Sequence, residues 1–133
     1  MEKEKIILGI DPGTNIMGFG IIKIVDSKIT LLNSGVLSMK KEKDLGVRLK
    51  LIFEEMIRLI DTYLPDELAI EAQFFGQNVQ SMLKLGKAQG VAIAAALSRS
   101  IPFEEYAPKK IKMSITGKGT SSKEQVAAML VHI

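Results

Sequence analysis

The stretch Ile6-Ile7-Leu8-Gly9-Ile10, ended by Asp11-Pro12-Gly13-Thr14, decides how this 133-residue chain folds. A short apolar run closed by a proline–glycine signal reads as a buried strand entering a tight turn. Gly18 to Val25 is a second strand and Lys28 to Leu37, partly alternating, a third. Asp26-Ser27 is short enough to join these two as a hairpin. Asp44 can cap a helix whose apolar residues Leu45, Leu49, Ile52, Phe53, Met56, Ile57 and Ile60 recur every three to four positions, with Pro65 just past its end. Glu67 to Glu71 is a fourth strand, followed by a loop at 72–77 and a long helix from about Asn78 to about Ser98. A fifth strand is expected at Phe103 to Tyr106. Pro108 suits the first turn of a helix ending near Gly117. Ser121 with Glu124 has capping-box spacing and starts a last helix toward His132. Three sequential strands, then strands alternating with helices, imply an α/β fold: a five-stranded mixed sheet with helices on both faces.

The length supports one domain, 1–133, with a real core. The absence of cysteine excludes a cysteine nucleophile, a zinc ribbon and a disulfide scaffold. One histidine, His132, excludes a multi-histidine metal site. Any acid–base or metal chemistry therefore rests on carboxylates and lysines. The apolar run Val91 to Leu97 is far short of the roughly 20 residues a membrane span needs. The first residues show no signal-peptide pattern, so a cytoplasmic protein without a membrane partner is expected.

The net charge of +3 is unevenly spread. Residues 1–83 carry a net of −2 and residues 84–123 a net of +6, from Lys84, Lys87, Arg99, Lys109, Lys110, Lys112, Lys118 and Lys123 against Glu104 and Glu105. Such asymmetry suggests a polyanion-binding face, against the plainer reading of a solvated lysine surface.

Asp11 follows the first strand and Glu71 ends the fourth. If those strands are parallel neighbours, both carboxylates emerge at one end of the sheet. Clustered hard-oxygen donors suit Mg²⁺ or Mn²⁺. The plainer reading makes Asp11 a turn cap and Glu71 an ordinary strand-end charge, and the pattern alone leaves both open.

Residues 7–14 (Ile-Leu-Gly-Ile-Asp-Pro-Gly-Thr) and Gly18-Phe19-Gly20 resemble the opening of the RuvC family of bacterial Holliday-junction resolvases. Ala69-Ile70-Glu71, with Phe74 and Asn78, is similar to that family's second motif. Residues 83–92 resemble its central helix, and residues 105–112 and 117–126 its basic segment. The resemblance covers nearly the whole chain in order. It implies a ribonuclease-H-like fold and a homodimer that makes paired symmetric nicks across a four-way DNA junction with Mg²⁺, alongside a branch-migration helicase. It makes Asp11 and Glu71 two of four acidic metal ligands. Lys112 and Lys123 then neutralise charge near the scissile phosphate, and Phe74 stacks on a base near the junction centre. Lys84, Lys87, Lys109 and Lys110 join the DNA face, with Lys118 at most a nonspecific phosphate contact. The other two acidic ligands of the family lie on a C-terminal helix with an Asp-x-x-Asp-like pattern. No acidic residue follows Glu124, so a domain truncated at its C-terminus is expected, one that binds junctions without cutting them detectably. Gly86 and Gly90, with Met82 and Leu85, point to the 78–98 helix as the dimer contact, if its small residues are not spent on the chain's own sheet.

Three other readings compete. One is a junction-binding protein with an incomplete metal site. Another is a ribonuclease-H-like nuclease acting on RNA. The third is the sugar-kinase/actin ATPase group, which shares a similar turn but needs two lobes around a nucleotide, more than 133 residues supply.

Overall fold

A computed structural model describes residues 4–71 and 78–106. β1 (Glu4–Asp11), β2 (Ile16–Val25) and β3 (Lys28–Ser38) form an antiparallel meander. The β2–β3 turn is the two-residue one expected. Asp26 and Ser27 both have positive φ, 47° and 67°, the pattern of the hairpin turn whose twist matches its flanking strands. The helix α1 (Leu45–Tyr63) crosses to β4 (Glu67–Glu71), and α2 (Val79–Ser98) crosses to β5 (Phe103–Tyr106). β4 pairs parallel to β1 and β5 parallel to β4, so the sheet runs β3-β2-β1-β4-β5. A mixed sheet follows because short turns can only join antiparallel strands, whereas parallel neighbours need helical crossovers.

Side-chain alternation gives the sheet two distinct faces. One carries Leu8, Ile10, Met17, Phe19, Ile21, Leu68 and Ile70, packed with Ile52, Met56, Leu59 and Ile60 of α1 and Ala88, Ala92, Ala95 and Ala96 of α2. The other carries a smaller cluster, Ile7, Ile22 and Ala69, with Ile24 and Tyr106 against it. Both described helices thus lie on one face. The two helices expected after Pro108 and after Ser121 fall outside the described residues.

Caps fix both helices. The Asp44 side chain accepts from the Val47 N–H at 2.9 Å, and Asn78 from the Ser81 N–H at 2.9 Å. α1 ends on Leu64, a left-handed residue (φ 49°), whose N–H donates to the Ile60 carbonyl. Gly35 faces Phe19 across the β2–β3 ladder, and a Cβ there would sit 2.8 Å from the ring. No helix among the described residues is long and apolar enough to cross a membrane.

Candidate active site at the carboxyl end of the sheet

The parallel register of β1 and β4 pairs Ile7 with Glu67 and Ile10 with Ile70. One step further, Asp11 and Glu71 stand side by side as the last residues of their strands. Neighbouring strands lie about 4.8 Å apart, so two carboxylates share one corner of the sheet. Alternation puts both on the face of Ile7 and Ala69, away from α1 and α2. The condition set by the sequence, that these strands be parallel neighbours, is met. Asp11 belongs to β1 itself rather than to the turn after it.

The neighbours in the same row leave the corner open on one side. Gly18 of β2 faces Asp11 and brings no side chain, whereas Tyr106 of β5 stands beside Glu71. Glu71 is 1% exposed, although Asp11 is only half-buried. One carboxylate is therefore withdrawn from water and the other reaches it. No group of three or more His, Cys, Asp or Glu side chains is gathered among the described residues. The donor set here is a pair of hard oxygen ligands, and that suits Mg²⁺, which is commonly held by one or two carboxylates plus substrate phosphate.

Two side chains that the sequence reading passed over hold this corner. Gln89 of α2 donates from Nε2 to the Glu71 carbonyl at 3.0 Å, tying the end of β4 to the helix. Arg48, one turn into α1, donates from Nη1 to the Asn15 side-chain oxygen at 2.6 Å and to the Thr14 carbonyl at 3.3 Å. Its Nε donates to the Glu42 carbonyl at 2.6 Å. The turn that follows Asp11 is thus clamped from the helix layer. Gly13 in that turn has no room for a side chain, since a Cβ would lie 2.4 Å from the Ile16 carbonyl oxygen. Nothing local in the sequence marks Gln89 or Arg48, because both reach partners 18 to 34 residues away.

Lys84 and Lys87 are both exposed on the first turns of α2. Phe74, Lys109, Lys110, Lys112, Lys118 and Lys123 lie outside the described residues. Gly86 and Gly90 do not serve packing on the sheet. A methyl added at either would meet nothing within 4 Å, and the alanines at 88, 92, 95 and 96 make that contact instead. Met82 is 44% exposed, and Leu85 turns toward a cavity beside Ser81 and Lys84.

Comparison with known proteins is consistent across sequence and structure. The chain is 65% identical over 130 residues to the crossover junction endodeoxyribonuclease RuvC of Christiangramia forsetii, covering 98% of this chain and 68% of that protein. It is 61% identical to the protein of that description from Cytophaga hutchinsonii, with 98% and 65% covered. The chain therefore spans about two thirds of the length of these relatives. Its fold superimposes on Thermus thermophilus RuvC in complex with a Holliday junction substrate with a TM-score of 0.77, at 28% identity, over 94% of this chain and 76% of that one. The family model described as crossover junction endodeoxyribonuclease RuvC matches residues 7–133. The chain, whose parallel strands β1 and β4 end in Asp11 and Glu71, belongs to the RuvC family of crossover junction endodeoxyribonucleases.

Proposed function

We propose that this protein is a Holliday-junction resolvase, a structure-selective endonuclease that makes paired symmetric nicks in four-way DNA during recombination and repair. The observation that carries the reading is the in-register juxtaposition of Asp11 and Glu71 at the carboxyl end of the sheet. Family membership supplies the substrate class.

Asp11 and Glu71 would hold Mg²⁺, with Mn²⁺ as a substitute. When bound, the ion activates the attacking water and stabilises the leaving oxygen of the phosphodiester. The chain's own part is to hold its oxygens in place. Gln89 fixes the backbone of Glu71 and Arg48 fixes the turn after Asp11, so the two ligands keep their spacing when DNA arrives. Positioning of this kind is most of what a phosphoryl-transfer site contributes. Lys112 and Lys123 would neutralise charge on the scissile phosphate, and Phe74 would stack on a base at the junction centre, a contact worth ~1–3 kcal/mol. Lys84, Lys87, Lys109, Lys110 and, more loosely, Lys118 would contact backbone phosphates.

Two coordinated nicks need two sites, which a C2 homodimer supplies. The outward side of α2 supports that assembly: Val79, Leu83 and Leu97 are 71%, 58% and 53% exposed, on the side opposite the buried alanines and level with Gly86 and Gly90. A branch-migration helicase is the expected partner and the cytoplasm the expected compartment.

The test is a binding titration on a four-way junction and on linear duplex of equal length, followed by incubation with Mg²⁺. Preferential junction binding is expected of this chain, and symmetric nicks of a version that also carries the family's two further acidic ligands. Asp11→Asn should abolish nicking and leave junction binding intact. Equal affinity for linear duplex would overturn the resolvase reading.

A further inference from the structure

A cavity of about 580 Å³ opens on the helix side of the sheet's carboxyl end. Its walls come from the turn after β1, the segment before α1, and the first turns of both α1 and α2. Thr14, Asn15, Lys40, Arg48, Ser81 and Lys84 line it, and no acidic side chain does among the described residues.

The three cations have different duties. Arg48 is committed to Thr14, Asn15 and Glu42, and so builds the wall rather than offering its charge. Lys40 and Lys84 are exposed, and neither joins an ion pair among the described residues. They come from segments 44 residues apart in sequence, yet the fold brings both to one concavity with the Thr14 and Ser81 side chains. Two ammonium groups without an acidic partner in the cavity, beside two hydroxyl donors, select an anion with several acceptor oxygens. Thr14 is three residues past Asp11, so its Cα lies within about 11 Å of the Asp11 Cα.

We propose that this cavity seats a backbone phosphodiester of the bound DNA, on the strand flanking the phosphate held at Asp11 and Glu71, with Lys40 and Lys84 as its cationic contacts. The proposal rests on the resolvase reading for its ligand. The carboxylate corner and the cavity lie on opposite faces of the sheet at the same end. A strand passing over the carboxyl edge of β1 would be gripped on both sides of Asp11, and its register at the carboxylates would be fixed by the second seat.

The experiment titrates labelled four-way junction and linear duplex across a salt series with wild type, with Lys40→Ala/Lys84→Ala, and with Lys23→Ala/Lys28→Ala. The last pair removes the same charge from the opposite end of the sheet, where Lys23 faces Ile6 and Lys28 starts β3. Lys28, Lys40 and Lys84 are exposed and Lys23 is partly so, its ion pair with Glu4 lying at the surface, so both variants should keep the wild-type melting transition. The cavity pair should flatten the dependence of log K on log salt by about 1 and weaken binding roughly tenfold near 0.1 M salt, since each neutralised phosphate contributes a slope of about 0.9. The control pair should change the slope by much less. Equal slopes for the two variants would overturn the proposal. If those slopes are equal while inorganic phosphate raises the melting temperature of wild type but not of the cavity pair, the seat takes a free anion and the proposal also fails. Lack of junction preference in wild type would sink the resolvase reading instead, and the slope difference on either DNA would still decide the cavity.

Discussion

The two halves of α2 do different work. From Ala88 onward the helix is an anchor: Ala88, Ala92, Ala95 and Ala96 are fully buried against the sheet and α1. From Val79 to Lys87 it projects, with Val79, Met82, Leu83, Lys84 and Lys87 exposed. The change falls where Gln89 reaches the end of β4. One rigid element therefore carries both the packing that stabilises the fold and the exposed cations Lys84 and Lys87, and a helix transmits position between them without a hinge. Mutations in the anchor should act on stability, and mutations in the projection on DNA and assembly.

The largest effect is expected in the anchor. Ala92→Leu forces three extra carbon atoms into a site with no exposure, and overpacking of this kind typically costs 1–3 kcal/mol. Leu83→Ala, in the projection, should change stability by no more than about 0.5 kcal/mol. Urea melts of the two variants check the contrast, and equal losses would break the division. Next comes the boundary between the halves. Gln89→Ala removes one hydrogen bond to the Glu71 carbonyl and should cost about 1 kcal/mol. Because that bond places Glu71, nicking by the same variant, introduced into a version that carries all four acidic ligands, should fall by more than its fraction unfolded explains, with Gln89→Glu failing to restore it, since a carboxylate cannot donate to a carbonyl.

How much of this could be read beforehand follows the same division. The strand–turn at 6–14, the hairpin at Asp26-Ser27, the Asp44 cap and all five strands were legible, because each is a local signal of period, cap or turn, whereas the Asn78 cap was not singled out. The carboxylate pair was legible as a pair of strand ends, but its adjacency needed the parallel register. The roles of Gly86 and Gly90 were not settled in sequence: small residues suit close packing, but the helix rotation that gives that packing to the alanines depends on α1 and the sheet. The cavity was illegible because Thr14, Lys40, Arg48, Ser81 and Lys84 meet only through tertiary structure. The basic segment beyond Tyr106 remains a reading of sequence.

A smaller effect of opposite sign sharpens the comparison. Gly86→Ala adds a methyl to an exposed helical position with open space around it. Alanine should stabilise the helix by roughly 0.5–1 kcal/mol, because glycine loses more backbone freedom on folding. If the outward side of α2 is the dimer contact, this gain in the melt should accompany weaker self-association by sedimentation. A gain in both would place the dimer contact elsewhere.

The smallest expected effect lies at the far end of the anchor. Arg99, just past α2, donates to Asp61 of α1 through two bonds of 3.0 and 3.2 Å. Both side chains are well exposed, so screening by water keeps the pair weak. The hydrogen bond from Arg99 holds the Asp61 carboxyl below its ordinary value, which sets the sign of the pH dependence. A carboxyl depressed in the folded state stabilises the fold above its unfolded pKa of about 3.9, and that contribution disappears as pH falls through the lower folded value. Arg99 stays charged throughout and adds no titration of its own. Asp61→Asn should therefore lower the melting temperature slightly at pH 6, and the difference from wild type should close as pH falls through the lowered folded value. A difference that persists at low pH would mean that Asp61 acts through packing between α1 and α2 rather than through its charge, and the clasp at the end of the anchor would then be steric.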